Sequence, residues 1–378
     1  MTARAEVTAR ALAALDQCER VCPRDAAPHV AVRLDVLRAI VTRGAAPRVA
    51  AIGRRGAGKS SLLNALAGAP LARVGDVTDT THTHAVRRVV TEAGPVVWLD
   101  TPGLRAGARA GRLDAVAAAA CAFEPTALLV LCAATEVDAG IDDDLDDVAA
   151  IVTRLARRPA LIAASTRVDE LAPPDVLAPP FDDDEKRANI ARSVSTLHGH
   201  LVRRGLAPRL ALPVCALTTW RGDALVDDAR WNLAPLARAL AATSPRRIDD
   251  DVGHLVRGLC DAVVDHVAGE AARVAMTAPA GRRGDVLTGL QGALVRCLDA
   301  VLGAFTDAPP RAARAAPGEA ARPGMFTEVL RGALDGIGAR RAGAAVASGR
   351  VRALGRSVLA HEAPRPSAAL LDAMGARD

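Results

Sequence analysis

The chain contains 378 residues, enough for two or three domains at about 100–200 residues per domain. Half of its residues are hydrophobic and 24% are charged, which excludes a generally disordered protein. Only 2% are aromatic, so we do not expect a nucleic-acid binder built on aromatic stacking. The formal net charge of +5 is small for this length and indicates no particular partner.

Lysine is rare in this chain, since only Lys59 and Lys186 occur among 48 basic residues. Lys59 lies in a glycine-rich motif and is given a function below, whereas Lys186, within FDDDEKRAN, is interpreted as incidental. The seven cysteines are odd in number and lie mostly in apolar stretches, which indicates buried free thiols in a reducing compartment.

No segment has the pattern of a signal peptide or of a membrane-spanning helix. The most apolar candidate, Asp285 to Phe305, carries Arg296 and Asp299. We therefore expect a cytoplasmic protein, with peripheral contact at the inner face of a membrane left open.

The first zone in chain order, residues 1–44, is predicted to be an N-terminal helical segment. Its two helices are Ala3–Arg20, ended by Pro23, and Ala27–Arg43, which carries apolar residues at helical spacing on one face.

The second zone, residues 45–245, alternates short apolar runs with helical stretches. Runs such as ALLVLCA and ALIAAS suit strands buried on both faces. This alternation predicts an α/β domain with a doubly wound, mostly parallel sheet. The strands are predicted at Arg48–Ile52, Ala85–Thr91, Val96–Leu99, Ala127–Cys132, Ala160–Ser165 and Leu210–Cys215.

The third zone, residues 246–378, loses the strand pattern and is predicted to be helical. A linker rich in Pro, Ala and Arg interrupts it near 307–323. Within the second zone, the run Asp138–Asp147 contains six aspartates. We interpret this run as a solvated helix start, where carboxylates interact favourably with the helix dipole.

The first motif with chemical meaning follows the strand RVAAIG and matches G-x-x-x-x-G-K-[ST]. Its glycines let backbone N–H groups face a phosphate, and the following helix N-terminus adds positive potential. Lys59 would contact the β- and γ-phosphates, and the Ser60 hydroxyl would ligate Mg²⁺. The predicted phosphate-binding residues are Gly53, Arg54, Arg55, Gly56, Ala57, Gly58, Lys59, Ser60 and Ser61.

Asp100-Thr101-Pro102-Gly103 ends the strand VVWLD, at the sheet edge where ligands bind in open α/β folds. Asp100 is predicted to support Mg²⁺, and the Gly103 N–H is predicted to contact the γ-phosphate. Upstream, the threonine-rich stretch VTDTTHTH supplies a hydroxyl for the metal, with Thr81 as first choice and Thr80 as second. The predicted catalytic residues are Lys59, Thr81 and Gly103.

Two further segments are predicted to bind the base. In Thr166-Arg167-Val168-Asp169, the carboxylate can accept from both N1–H and the 2-amino group of guanine, whereas adenine leaves it unpaired. The segment Cys215-Ala216-Leu217 ends the last strand, and its Ala216 N–H can bind guanine O6.

These motifs, in this order, resemble the five guanine-nucleotide motifs of the TRAFAC-class GTPases over about residues 45–245. The resemblance is closest to the Era-like group (TrmE-Era-EngA-septin-like), and GRRGAGKSS is also similar to immunity-related and dynamin-like GTPases. The stretches ATEVDAGIDDDL and RWNL are similar to Era-like GTPases with a helical C-terminal domain. The resemblance implies a P-loop GTPase fold, Mg²⁺ as cofactor, GTP and GDP as ligands, and a protein effector.

The chain departs from the family pattern at four places. Arg167 replaces the usual lysine of Asn/Thr-Lys-x-Asp, and its guanidinium can stack on guanine. Cys215-Ala216 replaces Ser-Ala, and Gly56 stands where K⁺-dependent members carry Asn. Leu104 occupies the place of the water-orienting Gln of Ras-like members, which implies slow intrinsic hydrolysis or help from elsewhere, with Arg54 or Arg55 as a candidate arginine finger.

The sequence therefore predicts a GTP-hydrolysing conformational switch, with three alternatives open. A membrane-associated or self-assembling dynamin-like GTPase would use the flanking helices and the arginine-rich Arg340–Arg356. A P-loop ATPase or nucleotide kinase would give Asp169 no role. A nucleotide-bound scaffold that never hydrolyses would agree with Leu104. No RNA-binding G-x-x-G clamp stands out in the C-terminal region.

Overall fold

The computed structural model describes residues 3–72, 85–104, 109–137, 141–245, 248–306, 337–359 and 366–374. The chain divides into two compact units. One comprises Ala46–Arg246, and the other combines Met1–Ala45 with Arg247–Asp378.

The unit Ala46–Arg246 has the predicted α/β fold, with a six-stranded sheet in the order β2-β3-β1-β4-β5-β6. Only the pairing of β2 with β3 is antiparallel among the pairs of this sheet. The strands are β1 Arg48–Gly53, β2 Ala85–Thr91, β3 Gly94–Asp100, β4 Ala127–Ala133, β5 Ala160–Thr166 and β6 Leu210–Pro213. The helices are α3 Lys59–Ala67, α4 Arg109–Phe123, α5 Ile141–Arg154, α6 Asp184–Arg203 and α7 Leu233–Ala241.

The sheet register brings the carboxyl ends of the parallel strands to one edge. Ala51 of β1 pairs with Asp100 of β3, and Ala133 of β4 pairs with Thr166 of β5. Every residue of β1 is buried, as the continuous apolar run predicts for a strand covered on both faces. Ligands bind at this edge in open α/β sheets, so the fold places the predicted motif residues together.

Two features of this unit differ from the sequence-based prediction. The last strand ends at Pro213, and Cys215 instead forms an isolated antiparallel bridge with Trp231. A hairpin of β7 Thr218–Arg221 and β8 Ala224–Asp228 follows it and was not predicted. Strand β8 reads Ala-Leu-Val-Asp-Asp without alternation of apolar and polar residues, and all five residues are exposed, so the sequence pattern did not mark it as a strand.

The aspartate-rich run is also only partly a solvated helix start. Asp142, Asp143 and Asp144 lie in the first turn of α5, where carboxylates interact favourably with the dipole. Asp142 and Asp143 are exposed as predicted, whereas Asp144 and Asp147 are buried. The period of the helix turns these two inward, a distinction that composition alone does not make.

The second unit is helical over its described residues. Its helices are α1 Ala3–Val21, α2 Pro28–Arg43, α8 Ile248–Thr277, α9 Ala280–Phe305, α10 Ile337–Leu359 and α11 Ala368–Ala373. The two long helices α8 and α9 pack against each other, α10 and α2 pack on α8, and α1 packs on α9. The predicted linker at 307–323 lies outside the described residues.

Within the described part of the chain, Arg282–Phe305 of α9 is the one helical stretch long and apolar enough to cross a bilayer. A core helix of a soluble protein has the same length and composition. Leu294, Leu298 and Val301 of this stretch are buried.

Candidate nucleotide-binding site

The loop between β1 and α3 has the backbone shape that its glycines allow. Gly56 and Gly58 have φ values of 82° and 79°, a left-handed conformation that residues with a side chain rarely adopt. Lys59 is the first residue of α3, and Ser60 and Ser61 follow it in the first turn. The unpaired N–H groups of a helix start make this loop a suitable anion site.

The Lys59 side chain folds back over this loop. Its Nζ donates to the carbonyl oxygens of Gly53 and Arg54, both at 3.0 Å, and the residue is 8% exposed. The loop thus holds the ammonium group next to the backbone N–H groups that would bind phosphate. A fixed cation among preoriented amides is the arrangement that stabilises a polyphosphate.

Arg54 and Arg55 are adjacent in sequence but differ in environment. Arg54 Nε donates to Asp144 Oδ2 at 2.8 Å, and its Nη1 lies 3.8 Å from Glu136 Oε2. The Arg55 side chain is exposed. The ion pair engages Arg54 with α5, so of the two candidates for an arginine finger Arg55 is the more available.

Asp100, at the end of β3, is 3% exposed. A Cβ on the nearby Gly103 would lie 2.6 Å from the Arg55 nitrogen, so only glycine permits this close approach to the loop. The Leu104 N–H donates to the Gly53 oxygen at 3.1 Å, and its side chain is buried. Leu104 therefore acts as a packing residue, and its side chain has no group that could orient water.

A magnesium ion suits the donors at this edge of the sheet. Ser60 and Asp100 supply a hydroxyl and a carboxylate, which are the hard oxygen ligands that Mg²⁺ prefers beside phosphate oxygens. The predicted third ligand, Thr81, and its alternative, Thr80, lie outside the described residues.

The first predicted base-binding segment is hydrogen-bonded directly to the phosphate loop. Thr166 Oγ1 donates to the Ala57 oxygen at 2.9 Å, and Arg167 Nη1 donates to the Gly56 oxygen at 3.3 Å. Arg167 has a φ of 55°, which turns the chain sharply before Asp169. The structure thus brings together two motifs that lie more than a hundred residues apart in the sequence.

The second base-binding segment meets the first at Asp169. Cys215 exchanges both backbone hydrogen bonds with Trp231, and its Sγ donates to Asp169 Oδ1 at 3.3 Å. Burial raises the pKa of the Cys215 thiol to about 12, so it is a neutral donor at physiological pH. Ala216 and Leu217 follow and line the same cavity as Asp169.

One cavity of about 500 Å³ joins these segments, a size typical of small-molecule sites. Residues of the phosphate loop and of both base-binding segments line it together. The predicted residues in its wall are Gly56, Gly58, Ser61, Thr166, Arg167, Asp169, Ala216 and Leu217.

Comparison with known proteins agrees with this geometry. The model of a protein family described as 50S ribosome-binding GTPase matches residues 48–166. The tRNA modification GTPase MnmE of Verminephrobacter eiseniae is 32% identical over 194 residues, which cover 48% of this chain and 37% of the relative. GTPase Der of Thermomicrobium roseum is 39% identical over 69 residues, which cover 18% of this chain and 14% of the relative.

Residues 48–166 therefore lie in a G domain of the TRAFAC class of P-loop GTPases. Among solved structures, Aquifex aeolicus Era bound to GDP and AlF₄⁻ is 17% identical, with a TM-score of 0.38 over 60% of this chain and 68% of that one. The chain spans less than half the length of the curated relatives named above.

Asn64 and Trp220 are among the cavity-lining residues that were not assigned from the sequence. Asn64 of α3 lines the cavity and exchanges hydrogen bonds of 2.8 and 2.7 Å with the backbone of Ala72, just before the threonine-rich stretch. Trp220 of the β7–β8 hairpin also lines the cavity. The rarity of tryptophan, with three in the chain, is the one signal that could have drawn attention to Trp220.

The sequence interpretation of Lys186 as incidental is not what the structure shows. Lys186 of α6 is fully buried, and its Nζ donates to the carbonyl oxygen of Asp169 at 2.7 Å. The segment FDDDEKRAN contains no motif that would have assigned this lysine a role. Only the packing of α6 behind the base-binding segment distinguishes this lysine from a surface residue.

Proposed function

We propose that this GTPase binds GTP with Mg²⁺, hydrolyses it to GDP and acts as a nucleotide-dependent conformational switch. The observation that carries the proposal is the single cavity lined by both the phosphate loop and the two base-binding segments. Asp169 lines that cavity, and its ionised carboxylate is an acceptor that matches the two donors on the guanine edge.

Different residues of the chain would bind the phosphates, the metal ion and the base. Lys59 and the amides of the phosphate loop would neutralise and orient the β- and γ-phosphates. Ser60 and Asp100 would hold Mg²⁺, which when bound neutralises phosphate charge. Asp169 and the Ala216 N–H would recognise guanine, and Arg167 would cover its face.

Slow intrinsic hydrolysis is part of this proposal. Leu104 is buried against the phosphate loop and offers no group that could orient the attacking water. We expect turnover well below the typical enzyme value of about 10 per second. A partner, or a second copy of the chain, would then supply the missing group, with Arg55 as a candidate.

The test measures binding and turnover of GTP by the purified full chain. Calorimetry should show Mg²⁺-dependent binding of GTP and GDP and much weaker binding of ATP. Phosphate release should be slow and abolished by chelation of Mg²⁺. A rise in turnover per molecule with protein concentration would favour self-association, and GTP binding without any phosphate release would favour the scaffold. A preference for ATP would overturn the proposal.

A further inference from the structure

The base-binding segment is held from behind by a fully buried lysine. The side chain of Lys186 is 0% exposed and projects from the first turn of α6. Its Nζ donates to the backbone oxygens of Asp169, at 2.7 Å, of Leu171, and of Pro173, at 3.4 Å. An ammonium group has three donors, and these three carbonyl oxygens match them in number.

The arrangement fixes the backbone on which the base-reading carboxylate is mounted. Burying an ammonium group is costly unless hydrogen bonds replace its water shell. The three carbonyl groups do so here, and each bond constrains one peptide of the segment 169–173. Loss of the ammonium group would remove this donor from the buried Asp169 carbonyl and from the half-buried carbonyls of Leu171 and Pro173, and the segment would relax to find other partners.

The same lysine also adjoins the second base-binding segment. Its Nζ lies 5.7 Å from the ring centroid of Phe181, and Phe181 packs edge-on against Trp231 with centroids 5.2 Å apart. Trp231 in turn exchanges both backbone hydrogen bonds with Cys215. A continuous set of contacts thus joins Lys186 to both segments that would read the base.

Asp169 is where the two segments meet. Its carboxylate accepts from Cys215 Sγ at 3.3 Å, while its carbonyl oxygen accepts from Lys186. Hydrogen bonds to N1–H and to the 2-amino group of guanine both depend on the distance and angle of one carboxylate. A small displacement of the Asp169 backbone would therefore weaken both of these hydrogen bonds at once.

We propose that Lys186 is a positioning residue for base recognition, which holds the Asp169 carboxylate in the orientation that distinguishes guanine from other bases. The inference rests on the proposed function, in which the cavity binds a guanine nucleotide. Lys186 itself acts only through Asp169 and its loop.

The experiment compares GDP, IDP and ADP binding by calorimetry in the full chain and in Lys186→Met. IDP lacks the 2-amino group, so the ratio of GDP to IDP affinity reports the geometry of Asp169. We expect Lys186→Met to lower GDP affinity about tenfold and to shrink the GDP:IDP ratio by about threefold or more. The matched control is Arg187→Met, because Arg187 is the exposed neighbour and pairs only locally with Asp184.

A double variant shows whether Lys186 acts through Asp169. On an Asp169→Asn background, Lys186→Met should not change the base preference further. If Lys186→Met does not fold, Lys186→Gln replaces it; its amide keeps two N–H donors but loses the positive charge, and it should lower the GDP:IDP ratio in the same direction.

Two outcomes would overturn the inference. A lowered melting temperature with an unchanged GDP:IDP ratio would make Lys186 a residue of stability alone. An equal loss of GDP, IDP and ADP affinity would place its effect on the phosphates. If the unaltered chain shows no preference for GDP over ADP, the proposed function fails, and that result is distinct from both.

Discussion

The phosphate end and the base end of the cavity are built in different ways. At the phosphate end, one continuous loop supplies the glycine conformations, the lysine and the helix start, and Lys59 bonds to carbonyl groups of its own loop. At the base end, Asp169 and Ala216 come from separate segments. Lys186 of helix α6 donates a hydrogen bond to the Asp169 backbone from behind.

This difference teaches where a binding site depends on local sequence and where it depends on packing. The phosphate loop carries its geometry in eight adjacent positions, so a substitution there should act directly on the ligand. The base end relies on residues behind the contact surface. Substitutions of those residues should therefore reduce base selectivity partly rather than abolish binding. The following predictions test that contrast, from the largest expected effect to the smallest.

Lys59→Ala should abolish detectable GTP binding while the fold survives. The variant removes the only lysine of the phosphate loop, and the Gly53 oxygen keeps its bond from the Leu104 N–H. Calorimetry with GTP and Mg²⁺ measures binding, and circular dichroism with a thermal melt checks the fold. Affinity equal to that of the unaltered chain would show that the loop does not bind phosphate.

Asp169→Asn should lower GTP affinity at least tenfold and raise affinity for XTP. Bonds to a charged acceptor contribute about 1.5–3 kcal/mol, and the amide adds a donor that faces the extra carbonyl of xanthine. Competition among GTP, XTP and ATP measures the change, with the exposed neighbour in Asp182→Asn as control. Unchanged GTP binding would mean that Asp169 does not contact the base.

Arg54→Gln should lower stability more than turnover. Arg54 pairs with Asp144, whose side chain is only 10% exposed, and loss of this bond should cost about 1–3 kcal/mol in the free energy of unfolding. Urea unfolding and GTP turnover are measured together, beside Arg55→Gln. A drop in turnover approaching the roughly 10³-fold effect of an arginine finger would assign that role to Arg54 instead.

Cys215→Ser should have the smallest effect, within about threefold in GDP affinity, because the hydroxyl keeps a donor to Asp169. The raised pKa of Cys215, about 12, also predicts that the thiol stays protonated between pH 6 and 9. The neutral donor is present below that pKa and is lost only above it. GDP titrations across this pH range check the point, and a fall in affinity at pH 9 that Cys215→Ser removes would contradict it.

Much of the nucleotide-binding unit could be predicted from the sequence. The strands β1 to β5 were predicted within one or two residues of the observed ends. Continuous apolar runs mark β1, β4 and β5, whose residues are nearly all buried. The phosphate loop could be predicted equally well, because its glycines, Lys59 and Ser60 occur at a fixed local spacing. The β7–β8 hairpin was missed because its strands are only four and five residues long and β8 shows no alternation of apolar and polar residues.

The sequence by itself determined the fold class and the phosphate loop, and it supplied the prediction that Asp169 reads guanine, because each depends on adjacent residues or on periodic hydrophobicity. Tertiary structure decided which charged residues are buried and what they contact. Lys186 and Asp144 both come from charged runs typical of solvated helix starts, yet one holds the base-binding segment and the other holds Arg54. Their roles depend on which face of a helix packs against a distant loop, and that information lies in three-dimensional contacts rather than in neighbouring residues.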